Sequence, residues 1–292
     1  HERSSAASDV YKRQQERFVP GMKIGKLGLE KKFENHLIGT NAIQRYEVNA
    51  YGKRINQLEY QKGSQGNKIR LTLDTEVQKL SAKLLLNKAG SISVMDIYTG
   101  DIIAMYSSPS YDPNLFLFGI SQDEWELIRN NPLKPLIHKT ISGLYSPGST
   151  IKPIVALSAL ENKIINPNFK VKCTGKTELY GQTFHCWKEK GHGFVSLKNA
   201  MKQSCDTYFY EIARLLGVDR LNITAKKFGL GEKVLGQYFD NEKQGLFPNT
   251  SWKKNNLGRG WVLGETLITG IGQGYTQTTP LQLCLMLSLI HI

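Results

Sequence analysis

The hydrophobic pattern changes character along the chain. From Phe18 to Gly66 apolar residues are sparse and broken by glycines and charges. Within it GKLGLEKKFENHLIG predicts a short helix, Leu29–Leu37, and YEVNAYGKRI predicts an alternating strand, Arg45–Tyr51. Gly63–Lys68 (GSQGNK) has the composition of a turn or linker. Ile69–Leu73 predicts a strand, and Asp74 or Thr75 caps a helix running through Leu86. Ser91–Tyr98 and Asp101–Ser107 alternate around Thr99-Gly100, which predicts a hairpin with Asp96 as a structural residue near its turn. Pro109–Pro135 is loop with one helical patch, Gln122–Arg129. Helical spacing then dominates, over Ser149–Asn162, Leu197–Gln203, Asp206–Leu216 and Asp219–Phe228. There is no internal repeat. The order strand, helix, hairpin, run of helices predicts an α+β domain with helices packed on an antiparallel sheet.

Composition narrows this only slightly. The 292 residues are 40% hydrophobic, enough for a packed core, and carry a net charge of +13. The lysines are scattered, without a basic stripe interleaved with stacking aromatics, so nucleic acid is the weakest of the basic-protein readings. No apolar run reaches the length that spans a bilayer; Leu281–Ile292 is too short. There is no signal-peptide pattern, so the chain as given is expected to be soluble. His1–Gln14 and Leu287–Ile292 read like translated adapter sequence and fit neither the helix nor the strand pattern beside them. The expected division is therefore a non-native-looking tail at 1–16, part of a small pedestal domain at 17–66, an incomplete larger domain at 67–283, and a second non-native-looking tail at 284–292.

Two motifs carry chemistry. In GLYSPGSTIKPIVALSAL, Gly148 closes a turn and an apolar helix follows, so Ser149 sits at a helix start with Lys152 one turn on. A serine hydroxyl needs a base to take its proton, and a buried lysine can serve. The helix N-terminus also offers free N–H groups to a developing oxyanion. The bland reading is a capping serine and a surface lysine. A second Ser-x-x-Lys, Ser251–Lys254, leads into the loop-like KNNLGRG and supports no such reading. The second motif, Ser204-Cys205-Asp206, interrupts helical spacing between Met201 and Tyr208. Ser204 there can relay a proton and Asp206 can hold Lys152; alone, the motif is more often an ordinary N-cap.

A Ser-x-x-Lys helix followed by Ser-x-Asp between helices resembles the serine penicillin-recognising enzymes. GLEKKFE, VNAYGKRI, LTLDTEVQ, SVMDIYTGDIIAMYSSPSYDPNLF, GLYSPGSTIKP, WKEKGHG, SCDTYFYEIA and GIGQGYTQTTPLQL resemble class B penicillin-binding proteins, in particular the elongation-type (penicillin-binding protein 2) branch. The resemblance implies a transpeptidase domain of the serine β-lactamase-like fold, preceded by part of a pedestal (dimerisation-type) domain. It implies a peptidoglycan D,D-transpeptidase that cross-links stem peptides through a Ser149 acyl-enzyme during cell elongation, with Lys152, Ser204 and Asp206 as its other catalytic residues. It further implies inhibition by β-lactams, an inner-membrane anchor facing the periplasm, and work beside a RodA-type glycosyltransferase and other elongation-complex proteins. The family's Lys-Thr/Ser-Gly strand is not among these residues, so the chain as given is expected not to turn over. The rivals are a β-lactamase or β-lactam-sensor domain, and a catalytically dead scaffold. The segment before Ile69 argues against the first, and intact Ser149, Lys152, Ser204 and Asp206 against the second.

Cys173, Cys186, His192 and Cys205 follow the spacing C-x12-C-x5-H-x12-C, a soft ligand set that suits tetrahedral structural zinc. The resemblance implies the same, since some elongation-type members hold zinc near the active site. A Cys173–Cys186 disulfide and reduced buried thiols are the alternatives. No cofactor is expected for the chemistry itself. Gly270-Ile271-Gly272-Gln273-Gly274 lacks nucleotide-loop spacing and is expected as a turn near the groove. Tyr145, Trp187 and Tyr275 could line that groove, but each is more often an ordinary packing aromatic.

Overall fold

The computed structural model describes residues 23–117 and 119–291. The tail expected at 1–16 lies outside them. The chain forms two compact units. The first comprises residues up to Leu71 together with Pro113–Gly119 and Leu235–Asn241; the second comprises Thr72–Asp112, Ile120–Val234 and the chain from Glu242.

In the first unit the single helix expected over Leu29–Leu37 is two short helices, Gly28–Lys32 and Glu34–Leu37, broken at Phe33. The expected strand is Ile43–Val48, and it pairs with Arg54–Gln61 in an antiparallel hairpin bulged at Arg45/Tyr46 and Glu47/Val48. The returning strand was not legible because none of its residues is buried, so its sequence carries no one-sided apolar signal.

The second unit has two parts. One is the hairpin Gly90–Met95 and Ile102–Ser108. Its turn is held by Asp96 Oδ1, which accepts from the N–H groups of Tyr98 and Thr99 at 2.7 and 3.0 Å, and by Gly100 at φ +77°. Helix Thr75–Leu84, capped by Asp74, packs on one strand and helix Pro280–His291 on the other. The strand expected over Ile69–Leu73 does not form. Its end meets the hairpin through Thr72 Oγ1 to Ile102 O and Asp74 N–H to Ile103 O, too few bonds for a ladder. Leu287–His291, expected to break the neighbouring pattern, continues the last helix.

The other part is helical and holds the core. Helix Asp206–Leu216 lies at its centre, with Tyr208, Phe209 and Ile212 fully buried against helices Lys152–Glu161, Val218–Lys227 and Leu263–Thr269. Each such side chain contributes about 1.5–3 kcal/mol of burial. Two small antiparallel ladders, Lys170–Cys173 with Gly193–Ser196 and Lys176–Leu179 with Gln182–His185, form a flap beside the helix. Helices Thr250–Leu257 and Leu263–Thr269 were not expected; their polar or small residues give weak periodicity. Among the described residues every strand pair is antiparallel, and helices pack on the hairpin Gly90–Ser108 and on the flap, as the α+β reading requires.

Candidate active site

Ser149 stands on a 3-10 turn, Gly148–Ile151, which feeds directly into the α-helix Lys152–Glu161. The expected continuous α-helix is tightened at its start. Residues three apart eclipse in a 3-10 turn, which brings positions 149 and 152 over the same face. Pro153 suits the opening of the α-helix because it has no N–H to leave unpaired. The turn is anchored from outside: Gly148 N–H donates to Gly272 O at 2.9 Å.

Lys152 is 1% exposed and its Nζ has three acceptors: Asp206 Oδ1 at 2.7 Å, Ser204 Oγ at 2.9 Å and Ser204 O at 3.0 Å. It also lies 5.3 Å from the centre of the Phe209 ring. A buried cation without such partners is strongly unfavourable, and here every proton of the ammonium has an acceptor. Ser204 Oγ donates to Ser149 Oγ at 3.1 Å. The hydrogen-bonded path from Ser149 to Lys152 therefore runs through Ser204. Asp206 Oδ2 accepts from the Trp187 N–H at 3.1 Å, so this carboxylate ties the lysine to the flap.

These groups open into a cleft of about 680 Å³ whose walls include Ser149, Ser204, Asp206, Trp187, Tyr210 and Gln273. Trp187 lines it as expected. Tyr145 and Tyr275 do not: Tyr145 pairs through its backbone with Thr278, while Tyr275 packs on Trp252 and Trp261 and donates to Glu265. Ile271 and Gln273 bring the turn expected near the groove onto its wall, while Tyr210 went unpredicted. Tyr210 reads as one more core aromatic on its helix, and burial pushes its phenol up to about 12. Ser251 and Lys254, the second Ser-x-x-Lys, are both exposed on helix Thr250–Leu257 and face no such constellation.

Beside the cleft, the ligand atoms of Cys173, Cys186, His192 and Cys205 all lie within 4.8 Å of one another. His192 Nδ1 is 3.5 Å from Cys173 Sγ and 3.6 Å from Cys186 Sγ. Tetrahedral zinc with ordinary Zn–S and Zn–N lengths separates such atoms by about 3.6 Å, so the donor set fits. The four cysteines of the chain are free thiols, which removes the Cys173–Cys186 disulfide alternative. Burial opposes ionisation of Cys173, but hydrogen bonds with Thr207 and His192 outweigh it and bring the thiol down to about 6. Burial pushes the Cys205 thiol up. One ready thiolate beside two further sulfurs and an imidazole is a cation-attracting arrangement.

Residues 90–291 match the model of the penicillin binding protein transpeptidase domain, and residues 3–71 that of the penicillin-binding protein dimerisation domain. The chain belongs to the penicillin-binding protein transpeptidase family. Among its relatives is the peptidoglycan D,D-transpeptidase MrdA of Acinetobacter baumannii, 38% identical over 90% of this chain and 39% of the relative. MrdA of Escherichia coli is 38% identical over 89% of this chain and 41% of its own length. The chain thus spans about 40% of the curated relatives it matches. The Helicobacter pylori penicillin-binding protein PBP2, solved in complex with MreC, superposes with a TM-score of 0.85 at 37% identity, covering 91% of this chain and 50% of that one. Pseudomonas aeruginosa PBP2, solved with WCK 5153, gives 0.81 at 39% identity, over 91% of this chain and 55% of that one. Of the residues in the two motifs, Ser149, Ser204 and Asp206 line the cleft and Lys152 is buried behind it.

Proposed function

We propose that the protein is the transpeptidase part of an elongation-type peptidoglycan D,D-transpeptidase. The observation that carries this is the chain of hydrogen bonds from Ser149 Oγ through Ser204 Oγ to Lys152 Nζ and Asp206, at the wall of an open cleft. Ser149 Oγ attacks the carbonyl carbon of the penultimate D-Ala of a stem peptide, and its proton passes through Ser204 to Lys152 Nζ, which takes it up as the neutral amine and so becomes the ammonium that Asp206 and Ser204 hold. Collapse of the tetrahedral intermediate breaks the C–N bond; the departing D-Ala amine takes the proton back by the same route. The amine of a neighbouring stem peptide then attacks the Ser149 ester, forms the cross-link and frees the hydroxyl. Asp206 holds Lys152 within reach of both serines and joins it to Trp187. β-Lactams acylate Ser149 as substrate mimics.

The cysteine and histidine cluster supports a structural zinc held by Cys173, Cys186, His192 and Cys205. Such an ion would pin the flap against the helix that begins at Asp206, beside Ser204. Among the described residues no helix is long and apolar enough to cross a membrane. By resemblance, the whole protein is anchored in the inner membrane, faces the periplasm and works with a RodA-type glycosyltransferase. The relative solved with MreC supports a partner of that kind. Residues 3–71 match a dimerisation domain, which favours this reading over a β-lactamase or sensor domain.

The test is intact-mass spectrometry after incubation with a fluorescent penicillin. It is run on this chain and on a chimera in which residues 72–283 replace the matching part of a full-length relative. We expect an adduct on the chimera that vanishes with Ser149→Ala. No adduct, or one that survives Ser149→Ala, refutes the assignment.

A further inference from the structure

Ser204 has a left-handed backbone, φ +49°, and is not a glycine. L-residues avoid that region because Cβ crowds the neighbouring carbonyl, and such outliers persist only where the surroundings hold them. Here the restraint falls on the Ser204 carbonyl. It accepts from Lys152 Nζ at 3.0 Å and from the indole N–H of Trp187 at 3.1 Å. The same indole N–H reaches Gln203 O at 3.0 Å, so one donor bridges the two peptide oxygens that flank the strained residue. The Trp187 backbone N–H meanwhile donates to Asp206 Oδ2.

Trp187 is nonetheless 64% exposed and stands on the cleft wall. A tryptophan kept for packing alone would be buried. This one spends its only polar atom on the turn that aims Ser204 Oγ at Ser149. Its ring meets His192 edge to face, with centres 5.3 Å apart, which fixes the ring plane.

We propose that Trp187 is a positioning residue for acyl transfer: its indole N–H holds the turn Gln203–Cys205 so that Ser204 Oγ stays between Lys152 and Ser149. This rests on the acyl-transfer reading above. Without the N–H, Ser204 relaxes toward ordinary backbone angles and its hydroxyl leaves the proton path, while the cleft that receives the ligand is left in place.

The experiment uses the chimera described above with penicillin as probe, and follows acylation by stopped-flow over a range of penicillin concentrations. This separates the half-saturating concentration from the limiting acylation rate constant. Two variants are compared with the parent: Trp187→Phe, and Trp187 replaced by β-(3-benzothienyl)alanine, which keeps the ring shape and lacks only the N–H. Both are expected to lower the limiting rate constant about tenfold, the scale of one hydrogen bond lost from a transition state, with the half-saturating concentration within about twofold of the parent. If the sulfur isostere acylates at the parent rate, the positioning role is wrong. It is equally wrong if the change lies in the half-saturating concentration alone, since the ring would then be a binding surface. An unsubstituted chimera that takes no penicillin at all overturns the acyl-transfer reading and this inference with it, a result distinct from either of those.

Discussion

At the scale of single residues, the proposed chemistry rests on how fully one buried group, the Lys152 Nζ, is partnered. Lys152 is enclosed with Asp206 as its one anionic partner, and removing half of a buried pair costs far more than the pair contributes. Asp206→Asn keeps the shape and the Trp187 contact but leaves the lysine without its counter-charge. Penicillin acylation, read by stopped-flow, is expected to slow at least tenfold, with Ser149 still the acylated residue. An unchanged rate would mean that Asp206 is only a helix-start residue, which was the plainer reading of its motif. Trp187 belongs at this scale too: the plainer reading was a packing aromatic, yet it stands on the cleft wall and its indole N–H donates to Gln203 O and Ser204 O.

At the scale of elements, the turn that carries Ser149, the proposed nucleophile, is set by two backbones meeting. Gly148 and Gly272 both have left-handed φ, +58° and +72°, and a Cβ on Gly272 would sit 2.2 Å from Gly148 O and 2.8 Å from Gly148 N. Gly272 is therefore a backing plate for the Ser149 turn, and the absence of a side chain there permits this approach. Gly272→Ala is expected to lower stability by about 2 kcal/mol or more, from left-handed strain and forced separation together. It should also slow acylation, because the turn carrying Ser149 must shift. Thermal unfolding and adduct formation measured on the same sample check both; a variant as stable and as fast as the parent would show that the loop merely lies nearby.

At the scale of the whole molecule, the flap built from Lys170–Ser196 meets the start of the helix Asp206–Leu216 where Cys173, Cys186 and His192 gather around Cys205. Small ladders of four residues per strand bury little apolar surface, so a bound ion would be a main source of the flap's stability. Elemental analysis is expected to find about one zinc per chain. A chelator is expected to lower the unfolding temperature and to slow acylation, with Cys186→Ser partly reproducing both. A metal-free chain that melts and acylates as before would leave the four residues as packed thiols and an imidazole.

The hydrophobic pattern by itself determined the hairpin around Thr99-Gly100, the helices Gln122–Arg129 and Asp206–Leu216, and the α+β class. Helix Asp206–Leu216 buries one face and Gln122–Arg129 half-buries Trp125 and Ile128, and one-sided burial leaves a period in the sequence. The two short motifs and the cysteine spacing likewise pointed to residues the fold gathers, because local backbone geometry already holds Ser149 near Lys152 and Ser204 near Asp206. The fully exposed strand Arg54–Gln61 left no such trace, and neither did the helices Thr250–Leu257 and Leu263–Thr269. Ile69–Leu73 has a strand's composition but found no edge to pair with beyond its last residues. What tertiary structure alone decided is the order of hydrogen bonds in the site. That the path from Ser149 to Lys152 runs through Ser204, that Trp187 grips the Ser204 carbonyl, and that Gly272 backs Gly148 are contacts between residues far apart in the chain. No periodicity records them, because each depends on how separate elements meet.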